Sequence, residues 1–332
     1  MPHDDTLDIA ALIPAAGRLE WEVCSRSEPG PGEISVRTLA SLLSPGTELA
    51  FWSGTHAALA DPAVPWAKYP FRPGYAAIGE VVAIGSGVSG RRIGERVMFR
   101  GRHAGWACHP AAAFLTLPEG LDPVHALFSR LAQIAATAVA RARRIPRRCL
   151  VLGAGPIGLF AAQQVRNHGA ARVVVRDRSL PRLERARACG LAAIPADAAH
   201  DGEVRTALGG DPELVIEATG VSALAVDALR AVAPGGEVVL LGSPRGAVEI
   251  ELYQLIHLKN VALTGAHESA IPDGPPRQQA IADALDDLAR GRLQAGPLLT
   301  HRLPPARLAE AYTGCATDKD AWFGVVLDWS RR

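Results

Sequence analysis

The stretch Cys149-Leu-Val-Leu-Gly-Ala-Gly-Pro-Ile-Gly158, with Leu159 to Val165 and Val173-Val-Val-Arg-Asp177 after it, decides how this chain is read. Leu150, Val151 and Leu152 form a short apolar run, the mark of a strand buried on both faces. A Gly-x-Gly-x-x-Gly turn follows (Gly153, Gly155, Gly158), then a helical pattern, then a second apolar run that stops at Asp177. The acidic residue comes about twenty residues after the last glycine, the spacing of a dinucleotide-binding β-α-β unit. Gly153 suits the tight turn out of the strand. Gly155 suits a close approach of backbone to a pyrophosphate, and Gly158 suits close packing of helix on strand. The helix opens at Pro156 and Ile157, and its N-terminus offers free N–H groups and partial positive charge to phosphates. A glycine-rich turn alone is a weak signal; strand, helix and Asp177 together predict a dinucleotide site.

Asp177 suits a ribose diol and so favours NAD(H). Arg176 and Arg178 flank it and suit a 2′-phosphate, so NADP(H) stays open. Arg182, on the next helix, either covers the adenosine ribose or is a solvated charge. Thr219, Gly242 and Ala266, at the ends of later apolar runs, complete the predicted cofactor contacts.

Outward from this centre, 332 residues allow two domains. The net charge of +1 gives no electrostatic case for nucleic acid or an anionic membrane. The first ten residues carry no apolar signal region, no stretch approaches a membrane span, and the expected location is cytoplasmic. Five cysteines are scattered singly, which suits reduced thiols better than a disulfide frame or a zinc cluster.

Residues 7–23 and Glu33–Leu39 alternate apolar and polar, as antiparallel strands do, and Arg72–Gly85 and Ile93–Phe99 give two more strands. This N-terminal block reads as barrel-like. His125–Arg143 has helical periodicity. Then helices at Leu183–Cys189 and Ala223–Val232 alternate with strands at Leu214–Gly220, Gly236–Gly242 and Val261–Gly265, predicting a doubly wound parallel sheet. An amphipathic helix over 275–293, a short helix over Ala306–Tyr312 and a last strand at Gly324–Asp328 are expected.

The order of β-rich block, glycine fingerprint, Glu217-Ala-Thr-Gly220 and returning C-terminal segment resembles the medium-chain dehydrogenases/reductases over nearly the whole chain. The resemblance implies an α/β fold with a GroES-like β-barrel catalytic domain (1–120), a Rossmann domain (121–270), and a segment (271–332) returning to the catalytic domain. It also implies a homodimer or tetramer paired through the strand at Val261–Gly265, and a small-molecule substrate. Zinc-binding members carry a Cys-Gly-Thr-Asp type motif; the matching residues here are Pro45-Gly46-Thr47-Glu48. The family's Gly-His-Glu matches Gly74-Tyr75-Ala76, and the third ligand falls near Ser129-Arg130. The four-cysteine zinc loop is reduced to a short segment, Phe99 to Phe114, with Cys108 alone. The resemblance thus implies a zinc-lacking member. Ser44 to Glu48 is similar to a branch that includes a bacteriochlorophyllide hydroxyethyl dehydrogenase.

Without a metal, a hydrogen-bond donor has to polarise the reacting oxygen. Tyr75 and Arg130 stand at ligand positions, and Thr47 matches the family's hydroxyl relay. Each has a plain alternative: a core tyrosine, an arginine paired with Glu48, a turn threonine. Glu48 is a candidate acid or an ordinary helix N-terminal carboxylate. His267 follows the last Rossmann strand as a further candidate or a surface histidine. Trp52 and Trp66 either wall a substrate pocket or pack under a loop. His103 and His109 rank low. The leading expectation is hydride transfer between NAD(P)(H) and a polar carbonyl or alcohol, such as a keto-sugar or cyclitol of secondary metabolism. An enone or alkene reductase and a non-catalytic dinucleotide-binding protein are the alternatives.

Overall fold

The computed structural model describes residues 7–197 and 200–331. Two compact units emerge: the described residues up to Phe128 together with those from Leu299 onward form one, and Ser129–Leu298 the other.

In the first unit, β1 (Leu7–Ala15) and β2 (Arg18–Ser25) form an antiparallel hairpin. β3 (Glu33–Leu42) leads into α1 (Thr47–Trp52), and β4 (Ala77–Ile84), β5 (Arg96–Phe99), β6 (Trp106–Pro110), β7 (Phe114–Thr116) and α2 (Pro123–Ala126) follow. β3 organises this sheet, pairing with both β4 and β6. Its inward side chains Ile34 and Val36 join Ala77, Val81, Val97, Phe99 and Phe114 in one apolar core. The helix expected over His125–Arg143 is two. Asp122 caps α2 by accepting from the N–H groups of Val124 and His125. The chain then breaks at the fully buried pair Leu127-Phe128.

The second unit begins with α3 (Ser129–Arg141) and alternates β8 (Arg148–Leu152), α4 (Pro156–Asn167), β9 (Arg172–Asp177), α5 (Leu180–Ala188) and β10 (Ala192–Pro195). α6 (Asp201–Leu208), β11 (Leu214–Glu217), α7 (Ser222–Ala231), β12 (Glu237–Leu240), β13 (Ala262–Gly265) and α8 (Pro275–Ala289) complete it. The six strands run parallel in the order β10-β9-β8-β11-β12-β13. The order reverses beside β8, so the carboxyl end of β8 lies at the topological switch point where open α/β sheets bind ligands. Leu150, Leu152, Val174, Val215 and Val238 pack with helix residues Leu208, Ala228 and Leu229 beneath that end.

The chain then returns through β14 (His301–Leu303), α9 (Leu308–Thr317) and β15 (Val325–Asp328). β15 inserts between β14 and β3. The expected boundaries at 120/121 and 270/271 therefore move to 128/129 and 298/299. Residues 271–298 stay with the second unit because α8 buries Ile281, Ala284, Leu285 and Leu288 there, and Arg277 bonds the carbonyls of Glu268 and Ile271. Among the described residues no helix is long and apolar enough to cross a membrane.

Candidate active site

The glycines after β8 have distinct surroundings. Gly153 takes φ +102°, and a Cβ on it would meet Thr219 Cγ2 at 2.7 Å. A Cβ on Gly158 would sit 2.0 Å from the Gly153 carbonyl oxygen, so only glycine lets α4 lie this close to the strand end. Gly155 differs. It caps α4 with extended backbone (φ −70°, ψ 169°), and a Cβ there would meet nothing within 4 Å. Pro156 and Ile157 follow, half-exposed, at the helix mouth.

Asp177 ends β9 as expected, and its carboxylate also fixes the turn. Oδ2 accepts from the Ala154 N–H at 2.7 Å, and Oδ1 from the Ser179 N–H at 2.8 Å. Arg176 turns to the carbonyls of Pro195 and Asp197 (3.3 and 2.8 Å). Arg178 is exposed, and Arg182 is half-buried at the start of α5. Glu217, fully buried at the end of β11, organises the next loop: it accepts from the Thr219 N–H at 2.7 Å, the Thr219 hydroxyl and the Gly220 N–H. Gly242 backs onto that loop, with space for a Cβ closed by the Gly220 nitrogen at 2.3 Å. In the sequence Glu217 shows as an acidic residue ending an apolar run, within Glu217-Ala-Thr-Gly220.

One stripe of α3 runs along the segment after β13. Arg130 is 2 % exposed and donates to Glu268 at 2.6 Å and to Gln133 Oε1 at 2.5 Å. Thr137 donates to the carbonyl of the buried Ala266 at 3.0 Å. His267 is exposed and caps the short turn at Glu268–Ala270 through Nδ1, which lies 3.2 Å from the Ser269 nitrogen.

In the first unit, a polar cluster surrounds Glu48, which is 1 % exposed. Its Oε1 accepts from the Ser44 N–H at 3.0 Å, and its Oε2 accepts from His103 Nε2 at 2.9 Å and the Tyr312 hydroxyl at 2.8 Å. His103 Nδ1 lies 2.8 Å from the Ser41 hydroxyl, which in turn accepts from Trp329 Nε1 at 2.9 Å. A carboxylate only accepts, so Nε2 of His103 carries a proton. The Ser41 hydroxyl then donates to Nδ1, and every donor of this cluster has an acceptor. Burial first, and the Glu48 charge next, push the Tyr312 phenol well above its usual range. They push the neighbouring Cys315 thiol up to about 12.

This cluster gives Glu48 a task other than the candidate acid of the sequence reading: its oxygens are occupied by three donors. It also raises His103, ranked low, to the centre of the unit. Its N–H bonds the Pro73 carbonyl at 2.9 Å, and Gly74 lies flat against Arg102 and His103 because a Cβ would meet the His103 nitrogen at 2.3 Å. Through these bonds His103 braces the backbone beside both Thr47 and Tyr75. Thr47 is exposed at the start of α1, and Tyr75 is half-buried with its hydroxyl screened from solvent. Trp52 stacks on Tyr312 with centroids 5.2 Å apart, whereas Trp66 is 59 % exposed, edge-on to His56. Among the described residues no three His, Cys, Asp or Glu side chains group so as to hold a metal ion. Pro45, Tyr75 and Arg130 offer no thiolate, imidazole or carboxylate to zinc.

The comparisons agree with this architecture. The alcohol dehydrogenase GroES-like domain matches residues 30–144, and the glucose dehydrogenase C-terminus matches residues 123–321. L-galactonate-5-dehydrogenase of Escherichia coli (strain K12) is 29% identical over 89% of this chain and 91% of its own length. Sorbitol dehydrogenase of Gallus gallus is 27% identical over 92% of each. Among solved structures, a short chain alcohol dehydrogenase (rspB) from Escherichia coli CFT073 complexed with NADH superposes with a TM-score of 0.82. It is 22% identical, with 98% of this chain and 100% of that one covered. The chain belongs to the medium-chain dehydrogenase/reductase family.

Proposed function

We propose that this chain is an oxidoreductase that moves hydride between a nicotinamide dinucleotide and a polar carbonyl or alcohol, a keto-sugar or cyclitol, without catalytic zinc. The observation that carries the reading is Gly155. It stands between two glycines that cannot accept a Cβ, yet its own Cα faces open space at a helix N-terminus. The bare backbone there suits a pyrophosphate. Bound there, the dinucleotide would supply or accept the hydride. NAD(H) is preferred because Asp177 is pinned with its charge at the end of β9 and Arg176 is directed to carbonyls.

The chain's own residues supply the rest. The Tyr75 or Thr47 hydroxyl is the proposed proton donor to the carbonyl oxygen. Zinc independence rests on Pro45, Tyr75 and Arg130 at the family's ligand positions. Relatives named for sugar acids and polyols support the substrate class. Pairing of two copies through β13 is also proposed: it is the outer strand of its sheet, with Leu252, Tyr253, Leu258 and Leu263 exposed nearby. Five free cysteines suit a reducing cytoplasm.

The test mixes purified protein with NADH or NADPH and fructose, a keto-sugar acid, cyclohexanone or cyclohexenone, with and without chelator. Reduction of a keto-sugar by NADH that survives chelation is expected. Tyr75→Phe or Thr47→Val should slow it about a hundredfold. Turnover of cyclohexenone alone would mark an alkene reductase. One zinc per chain, with turnover lost on its removal, would end the zinc-free reading. Protein that binds NADH and reduces nothing would be a binding protein only.

A further inference from the structure

Gln133 lies fully buried on the stripe of α3 that faces the segment after β13. The Arg130 guanidinium donates to its Oε1, which fixes which end of the amide is oxygen. Its Nε2 is therefore a donor, and among the described residues it has no acceptor. One turn earlier on the same stripe, the fully buried Ser129 hydroxyl has none either. Buried donors left without an acceptor cost stability, and native structures keep few of them.

Their place in the unit says what they are kept for. Thr137, one turn after Gln133, is tied to the Ala266 carbonyl, and Arg130, one turn before, is tied to the Glu268 carboxylate. Gln133 thus sits between two anchors to residues 266–268, at the carboxyl end of the parallel sheet. That is the end where such sheets take their ligands.

We propose that Gln133 donates a hydrogen bond to the substrate oxygen whose carbon gains or loses hydride, with Arg130 as the positioning residue that holds the amide. This deepens the oxidoreductase reading and rests on it. A bound dinucleotide would supply the hydride; as the carbonyl carbon took it up, the C=O π pair would move onto oxygen, and a hydroxyl of the protein would supply the proton. An amide gives up no proton, so Gln133 stabilises the developing charge without being consumed. Arg130 is engaged by Glu268 and Gln133, and the Gln133 amide keeps N–H groups to donate.

Gln133→Glu tests this most cleanly. It keeps an acceptor for Arg130 and removes the donor; Gln133→Leu removes both. With fructose or keto-gluconate, whichever the wild type reduces, kcat should fall about a hundredfold or more in Gln133→Glu. The Kd for NADH alone, read by fluorescence, should stay within about twofold, which also shows that the variant is folded. The deuterium isotope effect on kcat should rise as hydride transfer becomes limiting. Near-wild-type kcat in Gln133→Glu overturns the proposal. So does a loss of NADH affinity that accounts for the loss of rate, which would assign the amide to the cofactor. Wild-type protein without turnover would instead sink the oxidoreductase reading itself.

Discussion

The turn after β8 and the cluster around Glu48 are both tight polar assemblies, built from opposite materials. The turn is made of backbone: glycines, a helix mouth and one carboxylate, all between Gly153 and Asp177. The cluster is made of side chains from Ser41, Glu48, His103, Tyr312 and Trp329, and the Tyr312–Glu48 bond spans 264 positions. A site of backbone tolerates almost no added atom but needs few particular side chains. A site of side chains tolerates shape changes around it but none in its donors and acceptors.

The largest effect should come from Gly158→Ala, whose Cβ would meet the Gly153 carbonyl at 2.0 Å. NADH affinity should fall more than a hundredfold, with loss of folded protein. Gly155→Ala sharpens the comparison: the chain should fold as before and lose only NADH affinity. Equal thermal stability losses in the two variants would show that Gly155 is structural after all. Next comes Glu48→Ala, which strands the Tyr312 hydroxyl, His103 Nε2 and the Ser44 N–H. A loss of about 4 kcal/mol is expected in denaturant titrations. Unchanged stability would mean that the cluster does not hold the unit together.

Asp177→Ala should cost about 2 kcal/mol of NADH binding by calorimetry, part of it through a loosened Ala154 turn. Asp177→Asn, which still accepts hydrogen bonds, should recover that part. The smallest effect is alkaline. Tyr312 and Cys315 hold their protons in the fold at pH values where the unfolded chain releases them. Stability should therefore be flat through neutral pH and decline above about pH 9. Tyr312→Phe should lower stability by about 1 kcal/mol at pH 7 and flatten the decline; a steeper decline would contradict the assigned burial.

Legibility followed the same division. Parallel strands buried on both faces read directly as apolar runs, and glycines whose backbone is constrained announce a turn. β10, only Ala192–Pro195, is too short and alanine-rich to register. The break at Leu127-Phe128 was hidden because both residues fit a helical stripe. The resemblance places α8 in the returning segment, and its amphipathic pattern says that a face is buried and not against what. Of the candidate site, Gly153, Gly155, Gly158 and Asp177 stand where the motif puts them. His103 could not be ranked, because its value lies in Ser41, 62 positions away, and Glu48, 55 away. Gln133 showed nothing, since a spare donor is a property of burial and not of residue type.

β3 receives β15 at Ala40–Leu42, and Glu48 receives Tyr312. On the ribosome these partners are born late. At about 5–20 residues per second, the 264 positions from Glu48 to Tyr312 take on the order of tens of seconds. Through that interval the first unit has a strand with an open edge and a carboxylate short of a donor, while all of Ser129–Leu298 is made. The inserted unit can be complete before its host is. A nascent chain stalled before residue 312 would display β3 to chaperones, and truncation of the last strand would leave the first unit unfinished, however well the second had formed.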